Sequence, residues 1–323
     1  MTAKLDDAVA RLSESVWALG AVCAALDSGL AAALAEPAGV PDLARRTGLS
    51  VELAGRLLDV LEALGLASRD GGSWEGAELA AALGPRERFV RANARNAPLQ
   101  VGELAARAAS GRLETGWWHT DALILETQGV MSAAAVEPLA NFVFPSLDGL
   151  PERLAAPGAA FLDVGAGVGE VGLELCRRYD QLTVVGLEPA AAPRELALAR
   201  IAAAGLADRV SVRDQRVEQL GDEEGFDVAW LPLPFLPAEI AEPAVRAVHR
   251  ALRPGGWLLA ATLGSPARGQ LGDTLAAFRS VLWGGGPLAP DAVKELLAAA
   301  GFTDIAALPR TPARLTPLRA RRP

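Results

Sequence analysis

The sequence predicts an α/β protein in which strands alternate with helices to form an open sheet, preceded by a mostly helical N-terminal domain. Three observations predict this class. In AAFLDVGAGVGE an apolar run ends in three glycines at alternate positions, Gly165, Gly167 and Gly169, and a helical pattern then begins at Glu170, so a buried strand turns into a helix. Strand-like and helix-like segments go on alternating after it, as parallel βα units do. Ahead of it, from Asp6 to Leu34, apolar residues recur at helical spacing.

Composition bounds what such a chain can be. With 323 residues, 51% of them hydrophobic, it can bury a large core and divide into about two domains. A net charge of −8 and a pI near 5.0 set its field against nucleic acid and anionic membrane, so neither is an expected partner. Cys23 and Cys176 each lie in Ala/Leu-rich helical pattern, as buried small hydrophobes in a reducing compartment do; no disulfide framework or metal cluster is expected. The start, MTAKLDDAVARL, lacks a signal-peptide core, and no apolar run free of charge or turn residues reaches about 18 residues. The expected compartment is the cytoplasm.

The first helical stripe is Val9, Leu12, Val16, Leu19, Val22, Leu26 and Leu30. PDLARRTGLSVELAGRLLDVLEALGL then has the rhythm of a helix-turn-helix. Pro41 starts a short helix, Gly48 ends it, and Ser50 caps the next with Glu52 in its first turn. Leu66 to Glu75, turning at Asp70-Gly71-Gly72, reads as a β-hairpin wing, which makes residues 1–95 a winged-helix domain. Its second helix carries Glu52, Asp59 and Glu62 against a single Arg56, whereas phosphate contact needs clustered cations, so DNA binding is not expected of it.

Residues 96–150 fit neither wing nor sheet and read as a helical linker. TGWWHTDALILETQGVMSAA, Thr115 to Ala134, concentrates Trp117, Trp118, His119, Asp121, Gln128 and Met131 in a chain with 5% aromatic residues and two histidines. Two readings stand for it. The tryptophans are interdomain core and His119 a satisfied polar residue, or the segment covers a cleft, Trp117 and Trp118 wall an apolar pocket, and His119 is its base near neutral pH.

Residues 151–323 carry the alternating pattern. A dinucleotide fingerprint is G-x-G-x-x-G; here the third glycine comes one residue early and Glu170 takes the last glycine's place. A carboxylate there suits the helix dipole but repels a pyrophosphate, so a nucleoside without phosphates is the expected ligand. Gln181 to Pro189 reads as the next strand, with Glu188 at its carboxyl end, about 20 residues past the glycines, where an acid can accept ribose hydroxyls. Further strands are expected at Val210–Arg213, Phe226–Leu233, GWLLAAT, GFTDIAAL and ARLTPLRARR, with helices PRELALARIAAAG and AEPAVRAVHRAL among them.

Asp163, Gly165, Gly167 and Gly169 match the D-x-G-x-G-x-G motif of class I S-adenosylmethionine (SAM)-dependent methyltransferases, Glu188 matches their ribose-binding acid, and LRPGGWLLAAT is similar to their fifth strand. The chain resembles that family, in its small-molecule O-methyltransferase branch. The resemblance implies a Rossmann-like, seven-stranded sheet with a terminal antiparallel hairpin, SAM as cofactor, a small-molecule acceptor and no metal. It also implies that the winged helix is a dimerisation module, the first helix giving a homodimer its interface. Carried onto this chain, it places Asp163, Gly165, Gly167, Gly169, Leu187, Glu188, Gln215, Arg216, Val217 and Leu231 at the cofactor, and Trp117, Trp118, Gln128, Trp230 and Phe235 at the acceptor.

The chain departs from the family in two places. After the third strand, where the family has an acid for the adenine amino group, RDQRVEQL puts Arg216, with Asp214, Gln215 and the backbone of Val217 as replacements. After the fourth, plant-type O-methyltransferases have a catalytic histidine, but WLPLPFLPAEI has none; His249 lies in the helix before LRPGGW and reads as structural. L-P-L-P-F also lacks the D/N-P-P-Y motif of nucleobase amino-methyltransferases. Methyl transfer requires a nucleophile held about 3 Å from the methyl carbon and, for some acceptors, removal of a proton. His119 is the expected catalytic base, or proximity alone suffices. The missing histidine also motivates a SAM-dependent cyclisation or rearrangement as an alternative, and the winged helix a SAM-sensing regulator.

Overall fold

The computed structural model describes residues 2–263, 270–286, 288–308 and 315–323, in two compact units, residues 1–111 and 112–323. The first unit holds α1 (Thr2–Asp27), α2 (Leu30–Ala33), α3 (Val40–Thr47), α4 (Val51–Ala63), strands β1 (Ser68–Asp70) and β2 (Ser73–Glu75), α5 (Ala77–Leu83) and α6 (Glu87–Ala109). Local chemistry sets the α3–α4 turn. Gly48 closes α3 in the left-handed conformation, and the Ser50 hydroxyl accepts the Leu53 amide at 3.1 Å. The β1–β2 wing pairs Asp70 with Ser73 and buries Trp74 in a core with Leu30, Leu43, Leu58 and Leu61. On α4 the lone Arg56 is paired with Asp59 at 2.7 Å.

The domain boundary expected at residue 95 falls inside α6 and is corrected to residue 111. Arg95 reaches Asp27 of α1, Asn96 accepts from Gln100 one turn on, and Val90 and Ala94 pack with Leu26 and Cys23, so the helix runs unbroken past Pro98. The linker 96–150 is accordingly split, its part from residue 112 belonging to the sheet's unit. α1 itself divides in two. Its C-terminal half packs into the unit's core, whereas Leu5, Val9, Leu12, Val16 and Trp17 are exposed. By length and composition Lys4–Asp27 is apolar enough to cross a membrane, because the uncharged stretch from Ser15 to Leu26 outweighs the charges before it.

The second unit opens with α7 (Ala122–Ala133), capped by the Asp121 carboxylate on the amides of Leu123 and Ile124, followed by α8 (Val136–Pro138) and α9 (Leu150–Ala155). The strands are β3 (Ala160–Val164), β4 (Thr183–Leu187), β5 (Val210–Arg213), β6 (Phe226–Pro232), β7 (Leu252–Leu263), β8 (Thr303–Ala307) and β9 (Leu315–Arg321). They form one seven-stranded sheet ordered β5-β4-β3-β6-β7-β9-β8, in which β3 to β7 pair in parallel and β9 runs antiparallel to both β7 and β8; seven strands with a terminal antiparallel hairpin are what the resemblance implies. The intervening helices are α10 (Glu170–Arg178), α11 (Ala191–Ala203), α12 (Ala241–Ala251), α13 (Gln270–Leu282) and α14 (Pro290–Ala299).

Strand alternation sorts the central sheet into two cores. Leu162, Ala229, Leu231 and Leu258 join one with α12 and α14; Phe161, Val228, Trp230 and Leu259 join the other, with α10. At the amino ends of β3 and β6 the buried Asp227 carboxylate is held by Arg253 at 2.6 Å, Arg153 at 3.4 Å and the Ala160 amide at 3.0 Å. The carboxyl ends are left for a ligand. Because the chain passes from β3 to β4 on one side and β6 lies on the other, the topological switch point sits beyond β3.

Candidate functional site

A cavity of about 480 Å³ opens at that switch point, within the 300–1,000 Å³ range of small-molecule sites. Asp163, Val164 and the glycine turn come from the end of β3, Leu187 and Glu188 from β4, Gln215 to Glu218 from the turn after β5, and Trp230 and Pro232 from β6. α7 adds Leu125, Gln128, Gly129 and Ser132, and the segment before it adds Gly116 and Trp117.

The glycine turn needs its residues for two different reasons. Gly165, Gly167 and Gly169 all have positive φ, +70°, +56° and +76°. Beside Gly167, however, a Cβ would meet nothing within 4 Å and would project into open space, whereas at Gly169 it would lie 3.3 Å from Ala197 of α11. Gly169 is absent from the cavity wall. The close approach of α10 to α11 requires it there.

Three carboxylates stand near this turn. Glu188 accepts the Gly167 amide on Oε2 and the Ala190 amide on Oε1, both at 2.9 Å, which couples the β4 end to the turn. Burial raises its pKa, against these bonds and Arg194. Asp163 is 2% exposed, and burial, then the charge of Glu188, push its pKa up to about 7. Two such acids favour a cationic ligand and oppose a phosphate. Glu170, by contrast, pairs with Arg200, which also reaches Glu126 of α7 at 3.2 Å, so its charge is matched within the protein. The exclusion of phosphates expected from Glu170 therefore falls to Asp163 and Glu188. The two acids, the open space beside Gly167 and the Glu188 carboxylate at ribose distance in sequence fit a sulfonium nucleoside.

The opposite wall is aromatic and uncharged. Trp117 meets Phe235 edge-on at 5.5 Å, and Phe235 stacks on Trp283 at 4.8 Å. Gln128 and Ser132 supply neutral polar groups.

Four expected site residues lie off the wall. Besides Gly169, Leu231 faces away, because in β6 Trp230 and Pro232 share one side and Leu231 the other, in the core with Leu162 and Val248. Trp118 lies tilted against His119 at 4.1 Å, and His119 is 3% exposed, 4.9 Å from the ring of Trp117. His119 thus backs a wall residue. His249 stands edge-on to Phe302 at 4.8 Å, its pKa lowered by burial.

Several wall residues went unread in the sequence. Gly129 is the one with a signal: a glycine in mid-helix implies close approach. A Cβ there would fall 2.3 Å from Val168, so α7 rests its backbone on the glycine turn. Glu218 carries no pattern of its own, and neither does Trp283, which lies behind the wall against Trp117 and Phe235.

Residues 161–256 match the profile of a methyltransferase domain. The ubiquinone biosynthesis O-methyltransferase of Xanthomonas campestris pv. campestris (strain B100) is 35% identical over 155 residues, 47% of this chain and 57% of that protein, so the chain spans little more than half the length of the curated relative it matches. Among solved structures, an O-methyltransferase family protein from Burkholderia thailandensis superposes with a TM-score of 0.67 at 19% identity over 97% of each chain. Human N-acetylserotonin methyltransferase in complex with SAM gives 0.67 at 18% identity over 98% of this chain and 97% of the other.

Proposed function

We propose that this chain, which has the class I SAM-dependent methyltransferase fold after a helical N-terminal unit, transfers a methyl group from SAM to a small, largely apolar acceptor, oxygen being favoured over carbon or nitrogen. The observation that carries the reading is one cavity walled on one side by the glycine turn with Asp163 and Glu188, and on the other by Trp117, Trp230 and Phe235. When bound, SAM supplies an electrophilic methyl carbon on a sulfonium. Asp163 and Glu188 hold the cationic nucleoside, the aromatic wall orients the acceptor, and Gln128 and Ser132 offer it hydrogen bonds. Among the described residues, the wall formed by 116–117, α7 and 230–240 carries no titratable side chain, which favours an acceptor whose hydroxyl is already acidic, such as a phenol or enol.

Calorimetry with SAM and S-adenosylhomocysteine, then mass spectrometry of a phenol panel, tests this. Micromolar binding and a mass gain of one methyl group are expected; binding of neither ligand would overturn it. Methylthioadenosine or an isomeric product without mass gain would favour the cyclisation or rearrangement reading.

The acceptor is a small molecule rather than a nucleic acid, and the chain pairs with a second copy through α1. Leu5, Val9, Leu12 and Val16, at spacings of four, three and four, are all more than half exposed and form a seam of coiled-coil type. Light scattering should give a dimer, and Leu12→Glu a monomer. The free thiols of Cys23 and Cys176 suit the cytoplasm.

A further inference from the structure

Behind the acceptor wall runs Trp283-Gly284-Gly285-Gly286, the segment that leaves α13. These four residues stand off the cavity, yet they touch both strips of chain that line it on the aromatic side, Gly116–Trp117 and Phe235–Pro237. On the first strip, the Gly116 amide donates to the Leu282 carbonyl at 3.1 Å, and a Cβ on Gly284 would fall 2.8 Å from the Gly116 Cα. On the second, Gly285 bridges Pro237 in antiparallel fashion, and a Cβ on Gly285 would overlap the backbone of Pro234. Trp283 meets both, its ring 4.8 Å from Phe235 and 6.3 Å from Trp117.

The segment is fixed from its own side. The Gly284 amide donates to the Val281 carbonyl at 3.0 Å, and the hydroxyl of the buried Ser280 donates to the Gly286 carbonyl at 3.0 Å. A contact of backbone against backbone is not relieved by turning a side chain, so added volume here moves a strip towards the cavity, and removed volume lets it fall back. Gly284 has a φ of +91°, which a side chain resists for its own reasons; Gly285 has no positive φ, so space alone demands glycine there. We infer that Trp283 and Gly285 are positioning residues that set the depth of the acceptor pocket from behind, and with it the size of phenol that the pocket admits. This role deepens the acceptor side of the methyl-transfer reading above and rests on it.

Steady-state kinetics of the full chain with SAM and two phenols that differ by one fused ring, phenol and 2-naphthol, test the role. Gly285→Ala should lower kcat/KM for 2-naphthol about 10- to 100-fold and for phenol less than about threefold, since a misplacement of about 1 Å costs up to about 10²-fold. Trp283→Ala should shift the ratio the other way, favouring 2-naphthol by about 3- to 10-fold over the wild-type ratio, below the range for one methylene group in an apolar pocket because a wall relaxes only in part. Calorimetric affinity for S-adenosylhomocysteine should stay within about twofold in both variants, which also reports that they fold. Opposite shifts are the signature, because loss of packing alone lowers both activities together. Should Gly285→Ala fail to fold, the shift at Trp283→Ala decides alone. Equal losses for the two phenols, or ratios unchanged from the wild type, would overturn the role of Trp283 and Gly285 and leave the methyl-transfer reading intact. A wild type that binds S-adenosylhomocysteine but methylates neither phenol overturns the acceptor reading and this role with it.

Discussion

The two sides of the cavity are made differently. On the β5-β4-β3 side the contacts come from strand ends and a backbone turn, and the ionisable groups Asp163, Glu188 and Glu218 sit where neighbouring strands deliver them. On the other side, helix α7, the segment around Trp117 and the irregular chain after β6 supply aromatic rings and neutral amides. The first side is specified by backbone geometry, which a short motif can encode; the second is specified by side-chain packing between segments far apart in sequence. A cofactor shared by many reactions suits the first construction, and an acceptor particular to one reaction suits the second.

The contrast breaks most readily at Glu188. Glu188→Ala removes both a ribose acceptor and the carboxylate that receives the Gly167 and Ala190 amides. Affinity for S-adenosylhomocysteine should fall by about 10- to 100-fold, about 1–3 kcal/mol. Calorimetry checks this, and a loss under threefold would mean that the backbone alone holds the nucleoside.

Acidity gives a second test of the same side. With its pKa near 7, mostly through burial, Asp163 is largely protonated at pH 6 and ionised at pH 8. A cationic ligand prefers the ionised form, so SAM affinity should rise about tenfold between these pH values, and Asp163→Asn should flatten the profile. Stability of the ligand-free protein follows the opposite course. The folded state holds a proton that the unfolded Asp, at 3.8, releases earlier, so the contribution of this residue is fully present below pH 3.8 and is lost as pH rises through about 7. Melting temperatures of wild type and Asp163→Asn across that window measure it.

The same division explains what the sequence disclosed. The strands and the cofactor wall were legible because the glycines, Asp163 and Glu188 stand at fixed spacing on regular elements. Leu231 packs in the core away from the cavity wall, because proximity to a strand end says nothing of the face a side chain takes, and Gly169 sits at the α10–α11 contact, because one motif serves both the turn and that contact. For the acceptor wall only composition spoke. Two adjacent tryptophans and a histidine marked the right segment, but which of the three faces the cavity depends on Phe235 and Trp283, more than 100 residues away.

The aromatic wall predicts a smaller effect confined to the acceptor. Trp117→Ala or Phe235→Ala should raise acceptor KM about 2- to 10-fold, the worth of an aromatic contact, with S-adenosylhomocysteine affinity changed less than twofold. An equal loss for both ligands would show that the two sides do not act separately.

The smallest effect is expected at His119, and it decides whether the aromatic side contributes chemistry as well as shape. A general base is worth about 10² to 10⁴ in rate and must reach the proton it removes. His119 is 3% exposed, lies off the cavity wall, and presents its ring to Trp117 at 4.9 Å and Trp118 at 4.1 Å, so its contact with the site runs through an indole. His119→Ala should therefore lower kcat less than about threefold, leave the pH profile of kcat unchanged near neutrality, and destabilise the fold by about 1–3 kcal/mol through the packing it vacates. A loss of 10² or more with the neutral ionisation gone from the profile would instead make His119 the base, moved to the cavity when the acceptor binds.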